Sequence, residues 1–332
     1  MRLLITGGMG FIGSNFIRTI LASQNDANII NVDRLSYGSN PANLMGIEQT
    51  GRYRFVKGDI NDFELLKDLA KDSEAVVNFA AETHVDRSIP NPSGFYQSNT
   101  AGVVALLEVC RLLDLRFLQV STDEVYGSAP VERAFSEDNR LEPSSPYSAS
   151  KGAAELFVTA WCKTYGLSTC ITRSSNNFGS YQFPEKFIPK TIIRAMLGLR
   201  VPVYGSGRQI RDWIYVKDHC EALELILQKG QWGEIYNIAG GNQFENLEVV
   251  GRVLDILHKP HAIIEHVEDR PGHDFRYSLN ASKLEKTLGW RPKHSFETAL
   301  AQTVAWYVEN EPWWRPLINN KILSPTPWKE TW

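Results

Sequence analysis

Two side chains four residues apart, Tyr147 and Lys151, could together carry out proton transfer. Residues at this spacing lie on one face of a helix, so a phenol and an ammonium group would be neighbours there. We expect the lysine to lower the pKa of the phenol, and the phenolate can then accept a hydroxyl proton while hydride leaves the same carbon. The pair alone is common on exposed helices, so its meaning depends on the rest of the chain.

A second chemical feature is the neighbouring carboxyl groups of Asp123 and Glu124, in the segment 121–127 (S-T-D-E-V-Y-G). One carboxyl group can act as a general acid and the other as a general base if their surroundings separate their pKa values. The sequence does not show such a separation. The alternative interpretation is a turn or a helix cap.

A glycine-rich segment, 6–13 (T-G-G-M-G-F-I-G), indicates a phosphate-binding loop. Its glycines allow a tight turn and close approach of the backbone to a pyrophosphate at a helix N-terminus. Asp33 follows about 20 residues later, where a carboxylate can accept hydrogen bonds from both ribose hydroxyls of NAD. Arg34 could instead pair with the 2′-phosphate of NADP, which the carboxylate would repel. NAD is the predicted cofactor, with Asp59 and Ile60 framing the adenine.

The elements that must position these motifs follow an alternating pattern. Short apolar, β-branched segments alternate with longer segments of helical period, which is typical of a parallel sheet with crossover helices. We predict strands at 3–6, 29–33, 53–57, 75–79, 117–121 and 168–173, and helices at 11–22, 62–69, 94–113 and 146–165. The sequence therefore predicts an α/β protein with a Rossmann-type doubly wound parallel sheet and a smaller C-terminal substrate-binding region.

Composition excludes several classes of protein. A net charge of −3 over 332 residues gives no electrostatic footprint for nucleic acid or anionic lipid. The four cysteines form no C-x-x-C pair, so we predict neither a zinc site nor disulfides, and reduced thiols favour the cytoplasm. No stretch approaches the ~20 apolar residues that span a bilayer, and the N-terminus does not look like a signal peptide. No metal ligand set is predicted, because the histidines lack ligand spacing.

Together, the glycine-rich loop, Asp33 and the Tyr147/Lys151 pair resemble the extended short-chain dehydrogenase/reductase superfamily. That superfamily includes epimerases, decarboxylases and dehydratases, so the resemblance implies a fold and a cofactor but no single reaction. The segment S-T-D-E-V-Y-G is similar to the signature of nucleotide-diphosphate-hexose 4,6-dehydratases, the dTDP-glucose 4,6-dehydratase family in particular. Related 4-epimerases resemble this stretch but lack the acidic pair, since they only move hydride at C4.

Other parts of the chain resemble the same family in the same order. These are the segments 80–89, 176–179, 183–186, 209–213 and 269–274. Among the departures, Thr83 stands where the family usually has Ser, and Phe244-Glu245-Asn246 replaces a more basic run. The departures leave open whether the hexose is linked to dTDP or to UDP, CDP or GDP.

The resemblance implies a three-step cycle that makes a 4-keto-6-deoxyhexose nucleotide, a precursor of deoxysugars such as rhamnose. Tyr147, helped by Lys151 and Thr122, would take the C4 hydroxyl proton while hydride passes to NAD. Glu124 would then remove the C5 proton, and protonated Asp123 would donate to the leaving C6 hydroxyl. Hydride would return to C6. These five residues are the predicted catalytic set.

The resemblance also implies binding residues and domains. The predicted cofactor-binding residues, besides Tyr147 and Lys151, are Gly7, Gly10, Phe11, Ile12, Gly13, Asp33, Arg34, Leu35, Ser36, Asp59, Ile60, Phe79, Ala80, Ala81, Thr83, Ser98 and Asn177. The predicted substrate-binding residues are Thr83, Thr122, Asn176, Lys186, Phe187, Pro202, Val203, Tyr204, Arg211, Asn246, Arg270 and His273, with Arg211 and Arg270 on the diphosphate. We expect an NAD-binding domain at 1–174, to which the chain returns around 212–242, and a nucleotide-sugar-binding region at 175–211 and 243–332.

Three alternatives stay open at this point. A nucleotide-sugar 4-epimerase or a decarboxylase would use the same fold and cofactor without the acidic pair. A non-catalytic NAD-sensing protein would need neither pair. The expected partners are a nucleotide-diphosphate hexose and, as relatives suggest, a second copy of the chain in a homodimer built by packing helices together. No nucleic acid and no membrane partner is expected.

Overall fold

The computed structural model of the protein describes residues 1–331. Its strands are β1 Arg2–Thr6, β2 Asn28–Asp33, β3 Tyr53–Lys57, β4 Ala75–Asn78, β5 Arg116–Thr122, β6 Thr169–Ser174, β7 Asn176–Phe178, β8 Val201–Tyr204, β9 Ile210–Tyr215, β10 Ile235–Ile238, β11 Gln243–Glu245 and β12 Ile264–Val267. Its α-helices are α1 Phe11–Ser23, α2 Phe63–Ala70, α3 Val85–Ser88, α4 Pro92–Tyr96, α5 Gly102–Leu113, α6 Pro146–Tyr165, α7 Phe187–Met196, α8 Val216–Lys229, α9 Asn246–Ile256, α10 Ser282–Leu288, α11 Phe296–Glu309 and α12 Glu311–Trp314.

A central parallel sheet contains all six of the predicted strands. Its order is β10-β6-β5-β4-β1-β2-β3. The strand order reverses beside β1, since β2 and β3 follow on one side of it and β4, β5 and β6 on the other. Side chains alternate between two apolar cores: Leu3 and Ile5 belong to one, and Leu4 to the other. Because helices cover both faces, side chains on both sides of the sheet are buried, as in β4, where all four residues are buried. The predicted Rossmann-type doubly wound sheet is confirmed.

One predicted helix, 94–113, is interrupted in the structure. It consists of α4, a π-helical turn at Gln97–Ala101, and α5. Within the wide turn, the Asn99 amide donates to the Glu82 carbonyl at 2.9 Å and to Ser150 Oγ at 2.9 Å. The π-helical turn therefore directs a buried side chain toward α6 and the chain after β4, a tertiary contact that helical periodicity does not encode.

The segment expected to return to the first domain divides between two sheets. β10 joins the central sheet beside β6, and α8 packs on α1. β9 instead pairs with β7 and β11 in a separate three-stranded sheet, and β8 with β12 form a third, two-stranded sheet. The domain boundaries themselves stay a prediction.

Two further findings concern the described part of the chain. Within residues 1–331, no helix has the length and apolar character needed to cross a membrane. In the same range, no group of three or more His, Cys, Asp or Glu side chains is arranged to hold a metal ion.

Candidate active site

Two adjoining cavities lie at the carboxyl ends of the central strands. The first runs from the glycine-rich loop after β1, past the ends of β2 and β4, to the ends of β5 and β6. The second lies beyond it, among α3, α7, β8 and β9. Thr83, Glu124, Asn176 and Lys186 line both cavities, so these residues mark the junction. Carboxyl ends at the reversal of strand order are where open α/β sheets bind ligands.

The glycine-rich loop is shaped by its glycines at two positions. Gly7 has φ +73°, and a Cβ atom there would lie 2.5 Å from the Ala80 backbone nitrogen. A Cβ at Gly13 would lie 2.6 Å from the Gly7 carbonyl oxygen. The tight loop opens α1, whose first turn carries no acidic side chain. Its N-terminal amides are therefore available for an anion such as a pyrophosphate.

Asp33 at the end of β2 is held by the chain around it. Its carboxylate accepts from the Met9 amide at 3.0 Å, the Leu35 amide at 2.8 Å and the Ser39 hydroxyl at 2.9 Å. The side chain is buried and borders the first cavity. A fixed carboxylate in this position fits the paired hydroxyls of an adenosine ribose.

Arg34 is engaged by two carboxylates rather than free for a phosphate. Its guanidinium lies 2.6 Å from Glu82 and 3.4 Å from Asp59. A 2′-phosphate beside Asp33 would meet a carboxylate and an arginine that is already neutralised. The charges of the cavity thus fit NAD better than NADP.

Tyr147 and Lys151 lie in the first two turns of α6. A capping box formed by Ser145 and Ser148 stabilises the N-terminus of this helix. Both are buried and border the first cavity. The expected lowering of the Tyr147 pKa by Lys151 is not found. Burial raises the pKa of Tyr147, the Glu124 and Asp123 carboxylates raise it further, and a hydrogen bond with Thr122 opposes the rise. The Lys151 ammonium donates instead to the Val120 carbonyl at 2.7 Å, and burial lowers its pKa to about 8.

Asp123 sits in a short 3-10 turn that directly follows β5, where the Thr122 hydroxyl accepts from the Glu124 amide at 3.3 Å. One Asp123 oxygen accepts from Thr122 at 3.2 Å, and the other is buried with no protein partner among the described residues. Burial raises the pKa of Asp123 well above its usual value, and the Glu124 and Asp212 carboxylates add to the effect. Asp123 is therefore suited to hold a proton near neutral pH.

Glu124 has different neighbours from Asp123. Burial raises its pKa as well, but Arg270, Arg211 and Lys186 oppose that rise by favouring the carboxylate. The Tyr277 hydroxyl lies 3.5 Å from its carboxylate. The charged groups that act most on Asp123 are the Glu124 and Asp212 carboxylates, with Arg211 opposing them, whereas those that act most on Glu124 are three cations, with Asp274 opposing them. Such a difference in surroundings is what distinct acid and base roles need.

The second cavity is lined by basic side chains. Arg211 is buried, donates to the Asp274 carbonyl at 2.8 Å and lies over the Tyr277 ring at 4.2 Å. Arg270 pairs with Asp86 at 2.7 Å, while its Nε is buried without a partner among residues 1–331. Two fixed guanidinium groups in one cavity suit a diphosphate.

Nearly all of the predicted site residues come together. The predicted catalytic residues all line the first cavity, as do the predicted cofactor residues except Leu35. The predicted substrate residues line the second cavity, apart from Thr122 in the first and Val203 in neither. Val203 is fully buried in an apolar cluster with Val201 and Leu254. Leu35 contributes its amide to Asp33 and its side chain packs against the core.

Several residues of the cavities were missed by the sequence reasoning. Glu185 is buried at the junction and accepts a hydrogen bond from Tyr37. His84 lines both cavities and was not among the predicted binding residues. Tyr277 reaches Glu124 from far along the chain. The position of Glu185 next to Lys186, a predicted substrate-binding residue, could have identified it as a residue of the site. Nothing in the sequence indicated Tyr277.

The fold and the first cavity define an NAD-type short-chain dehydrogenase/reductase architecture. Comparison with known proteins shows which family within this superfamily the chain resembles. The family model for GDP-mannose 4,6 dehydratase matches residues 4–303. A dTDP-glucose 4,6-dehydratase of Streptomyces niveus is 45% identical, covering 98% of each chain, and one of Escherichia coli is 44% identical with 98% coverage of each. The crystal structure of DesIV, a dTDP-glucose 4,6-dehydratase of Streptomyces venezuelae solved with NAD, matches with a TM-score of 0.94 and 46% identity over 96% of this chain and 100% of that one.

The chain belongs to the nucleotide-sugar 4,6-dehydratase family of the extended short-chain dehydrogenases/reductases. The resemblance inferred from the glycine-rich loop and S-T-D-E-V-Y-G is thereby confirmed. The individual site residues stay predictions, supported by the geometry described above.

Proposed function

We propose that the protein converts dTDP-glucose into dTDP-4-keto-6-deoxyglucose and water, as an NAD-dependent hydro-lyase. The observation that carries this proposal is the meeting of Asp123, Glu124 and Tyr147 at one cavity, with different charges facing the two carboxyl groups. An epimerase needs the tyrosine but not the acidic pair. Relatives named dTDP-glucose 4,6-dehydratase match over nearly the whole chain, which further supports this activity.

The first task of the chain is to deprotonate a sugar hydroxyl. Tyr147 is the proton acceptor, and Thr122 shares a hydrogen bond with its hydroxyl that favours the phenolate. The Lys151 ammonium, one turn further along α6, is fixed to Val120 and supplies positive charge in the same buried region. When bound, NAD would supply a reversible hydride acceptor for C4, and the resulting 4-ketone would make the C5 proton acidic.

The second task is to remove water. Glu124, whose carboxylate is favoured by three cations, takes the C5 proton as base. Asp123, whose proton is retained by burial and by nearby carboxylates, donates to the C6 oxygen as water leaves. The proton held by Glu124 is available for return to C5 when hydride reaches C6. The proton that Tyr147 took from the C4 hydroxyl replaces, through solvent, the one that Asp123 gave to the departing water. Protons, hydride and water then balance without net redox change.

The experiment that tests this reaction uses the double variant Asp123→Asn/Glu124→Gln. With dTDP-glucose it should still reduce the enzyme-bound NAD, seen as the near-ultraviolet absorbance of NADH, because Tyr147 and Lys151 are intact. It should form 4-keto-6-deoxy product at a rate ~10²–10⁴ times lower than the wild type. The matched control, Tyr147→Phe, should lose NAD reduction itself. Undiminished dehydration by the double variant would refute the roles assigned to the carboxyl groups.

A substrate panel separates the neighbouring activities. dTDP-glucose should be the best substrate among dTDP-, UDP-, CDP- and GDP-hexoses, because the relatives with this specificity match at 44–46% identity. Faster turnover of a UDP-, CDP- or GDP-hexose would keep the reaction and change the nucleotide. Formation of a C4 epimer in place of the 4-keto-6-deoxy sugar would overturn the dehydratase proposal. The product would feed deoxysugar synthesis, and rhamnose is one outcome.

We also propose that the protein works as a homodimer in the cytoplasm. The outer face of α6 exposes apolar side chains, with Leu156 at 66% and Phe157 at 39% exposure, and Leu112 of α5 at 53%. Phe157, Trp161 and Tyr165 form a continuous stripe of ring contacts at i, i+4 spacing. An isologous helix bundle would bury this face in both copies. The cysteines are free, and three of the four are buried, which fits a reducing compartment.

A further inference from the structure

The C-terminal segment, residues 322–331, lies across the outer side of the second cavity. The Lys190 ammonium donates to the Ser324 carbonyl at 3.3 Å, and Arg194 donates to the Leu323 carbonyl. The short 3-10 turn Pro327–Lys329 contacts α3. Lys329 pairs with Glu268 just beyond β12. The segment is thus attached to α7, α3 and the region after β12, all of which surround the second cavity.

Trp328 is the side chain of this segment that reaches the cavity wall. It is 8% exposed, and its ring meets the Tyr204 ring edge-to-face, with centroids 4.7 Å apart and planes at 79°. Trp328 itself borders neither cavity, whereas Tyr204 borders the second one. The indole therefore stands behind a lining residue and restricts the positions that the Tyr204 ring can adopt.

Tyr204 is connected in turn to one of the basic groups of the cavity. Its hydroxyl donates to one Asp86 oxygen at 3.0 Å, and the other Asp86 oxygen pairs with Arg270 at 2.7 Å. Asp86 is 3% exposed and lies on α3, the helix that the C-terminal turn contacts. A single buried carboxylate thus fixes Tyr204 and Arg270 relative to each other. Displacement of the Tyr204 ring would also loosen the partner of Arg270.

We propose that Trp328 is a positioning residue for the nucleotide-diphosphate end of the substrate, acting through Tyr204 and the Asp86–Arg270 pair. The proposal rests on the nucleotide-sugar activity given above and adds a contribution from the C-terminal segment. Trp328 touches neither the predicted catalytic residues nor the first cavity. Its loss should therefore weaken binding of the nucleotide diphosphate and leave the rates of the chemical steps on the hexose largely unchanged.

The test compares Trp328→Leu with wild type in two measurements on the NAD-loaded enzyme. Calorimetric titration with dTDP should give a Kd about tenfold higher in the variant, as expected when a bond to a charged group is weakened. Steady-state kinetics with dTDP-glucose should give a similar rise in KM, with kcat within about twofold of the wild type. Trp328→Phe keeps an aromatic edge against Tyr204 and should lie within about threefold of wild-type affinity.

Two controls separate this role from general destabilisation. Trp290→Leu removes a tryptophan of similar burial, 6% exposed, from the apolar core, and it should leave dTDP affinity unchanged. In a Tyr204→Phe background, Trp328→Leu should add less than about twofold, because the connection to Asp86 is already cut.

Each contrary outcome is distinct. Wild-type dTDP affinity in a folded Trp328→Leu variant would overturn the proposal, and so would equal weakening in Trp290→Leu. Additive effects of Trp328→Leu and Tyr204→Phe would show that Trp328 does not act through Tyr204. Failure of the wild type to bind dTDP would overturn the proposed function, and this inference with it, whereas the first three results leave the function intact.

Discussion

Asp123 and Glu124 are adjacent in the chain but differ in their charged surroundings. Burial and the Glu124 and Asp212 carboxylates raise the pKa of Asp123 against Arg211, whereas Arg270, Arg211 and Lys186 oppose the effect of burial on the pKa of Glu124. A strand end followed by a 3-10 turn brings this about, because it sends successive side chains into different parts of the site. The proposed division into a general acid and a general base therefore rests on their surroundings.

Single substitutions should separate the two roles. With Asp123→Asn, the intact Glu124 should still exchange the C5 proton of the 4-keto intermediate with solvent, while water elimination falls ~10²–10⁴-fold. With Glu124→Gln, both C5 exchange and elimination should fall by that factor. Deuterium incorporation at C5, followed by NMR in heavy water, distinguishes the variants. Loss of exchange in Asp123→Asn, with exchange kept in Glu124→Gln, would reverse the assignment.

At the scale of elements, the loop between β1 and α1 depends on an unusual backbone and on close packing. Gly7 combines φ +73° with a contact distance that leaves no room for a Cβ against Ala80. Gly46 has a similar φ of +86°, but open space around its missing Cβ. The pair therefore allows backbone strain and steric contact to be measured separately.

We expect Gly46→Ala to lower the free energy of unfolding by about 1–2 kcal/mol through strain alone. Gly7→Ala should be more destabilising, because the backbone after β4 must also shift, and it should weaken NAD binding by about tenfold or more. Thermal unfolding and fluorescence titration with NAD measure the two effects. Equal stability losses and unchanged NAD affinity in Gly7→Ala would show that the loop tolerates a side chain.

A second element-scale feature links β9 to the loop before β11. Asp212 on β9 is 1% exposed and accepts from the Asn242 amide at 2.9 Å. Burial raises the pKa of Asp212 to about 7. The folded state therefore binds this proton more tightly than the unfolded state, so the carboxyl group contributes stability at low pH that is lost as pH rises toward 7.

The free energy of unfolding of the wild type, relative to Asp212→Asn, should consequently fall between pH about 4 and pH about 7. A fall of roughly 1–4 kcal/mol corresponds to a pKa raised by one to three units. Urea unfolding at several pH values gives the comparison. Parallel curves for the two proteins over this range would mean that Asp212 does not titrate differently in the folded state.

At the scale of the whole molecule, helices cover both faces of the central sheet. One of these helical layers, formed by α5 and α6, also exposes apolar side chains on its outer surface. Phe157 and Tyr165 on α6 and Leu112 on α5 are exposed, and Trp161, whose ring contacts those of Phe157 and Tyr165, packs partly against the second core. Contiguous exposed apolar surface of this kind marks an interaction surface in soluble proteins. This surface lies on the opposite side of the central sheet from α1 and α8. Buried residues of α1 and α8 belong to the first apolar core, and those of α5 and α6 belong to the second.

We expect Leu156→Glu combined with Phe157→Lys to convert a dimer into a monomer, because charges would be buried in both copies of an isologous interface. Light scattering coupled to gel filtration measures the mass directly. Replacement of Val131, which is 80% exposed and lies between β5 and α6, by Glu is the matched control and should leave the mass unchanged. A monomeric wild type would contradict the proposal outright.

The sequence by itself determined the sheet and the nature of the chemistry. Alternating apolar segments predicted the first six strands of the central sheet, and α6 matches its predicted range, because periodicity and the capping serines act locally. The spacing of the glycines and of Tyr147 and Lys151 indicated the cofactor loop and the proton acceptor for the same reason. Local rules also misjudged the helix 94–113, whose π-helical turn depends on distant partners.

Only the tertiary structure determined the pKa values and contacts that depend on residues far apart in the chain. It turned the expected lowering of the Tyr147 pKa into a rise, because burial and two carboxylates act on the phenol while Lys151 donates to Val120. It brought Tyr277 to Glu124 across 153 residues of chain, and it set Trp328 behind Tyr204. Desolvation and charge pairing depend on which groups fold together, and no spacing along a chain records them.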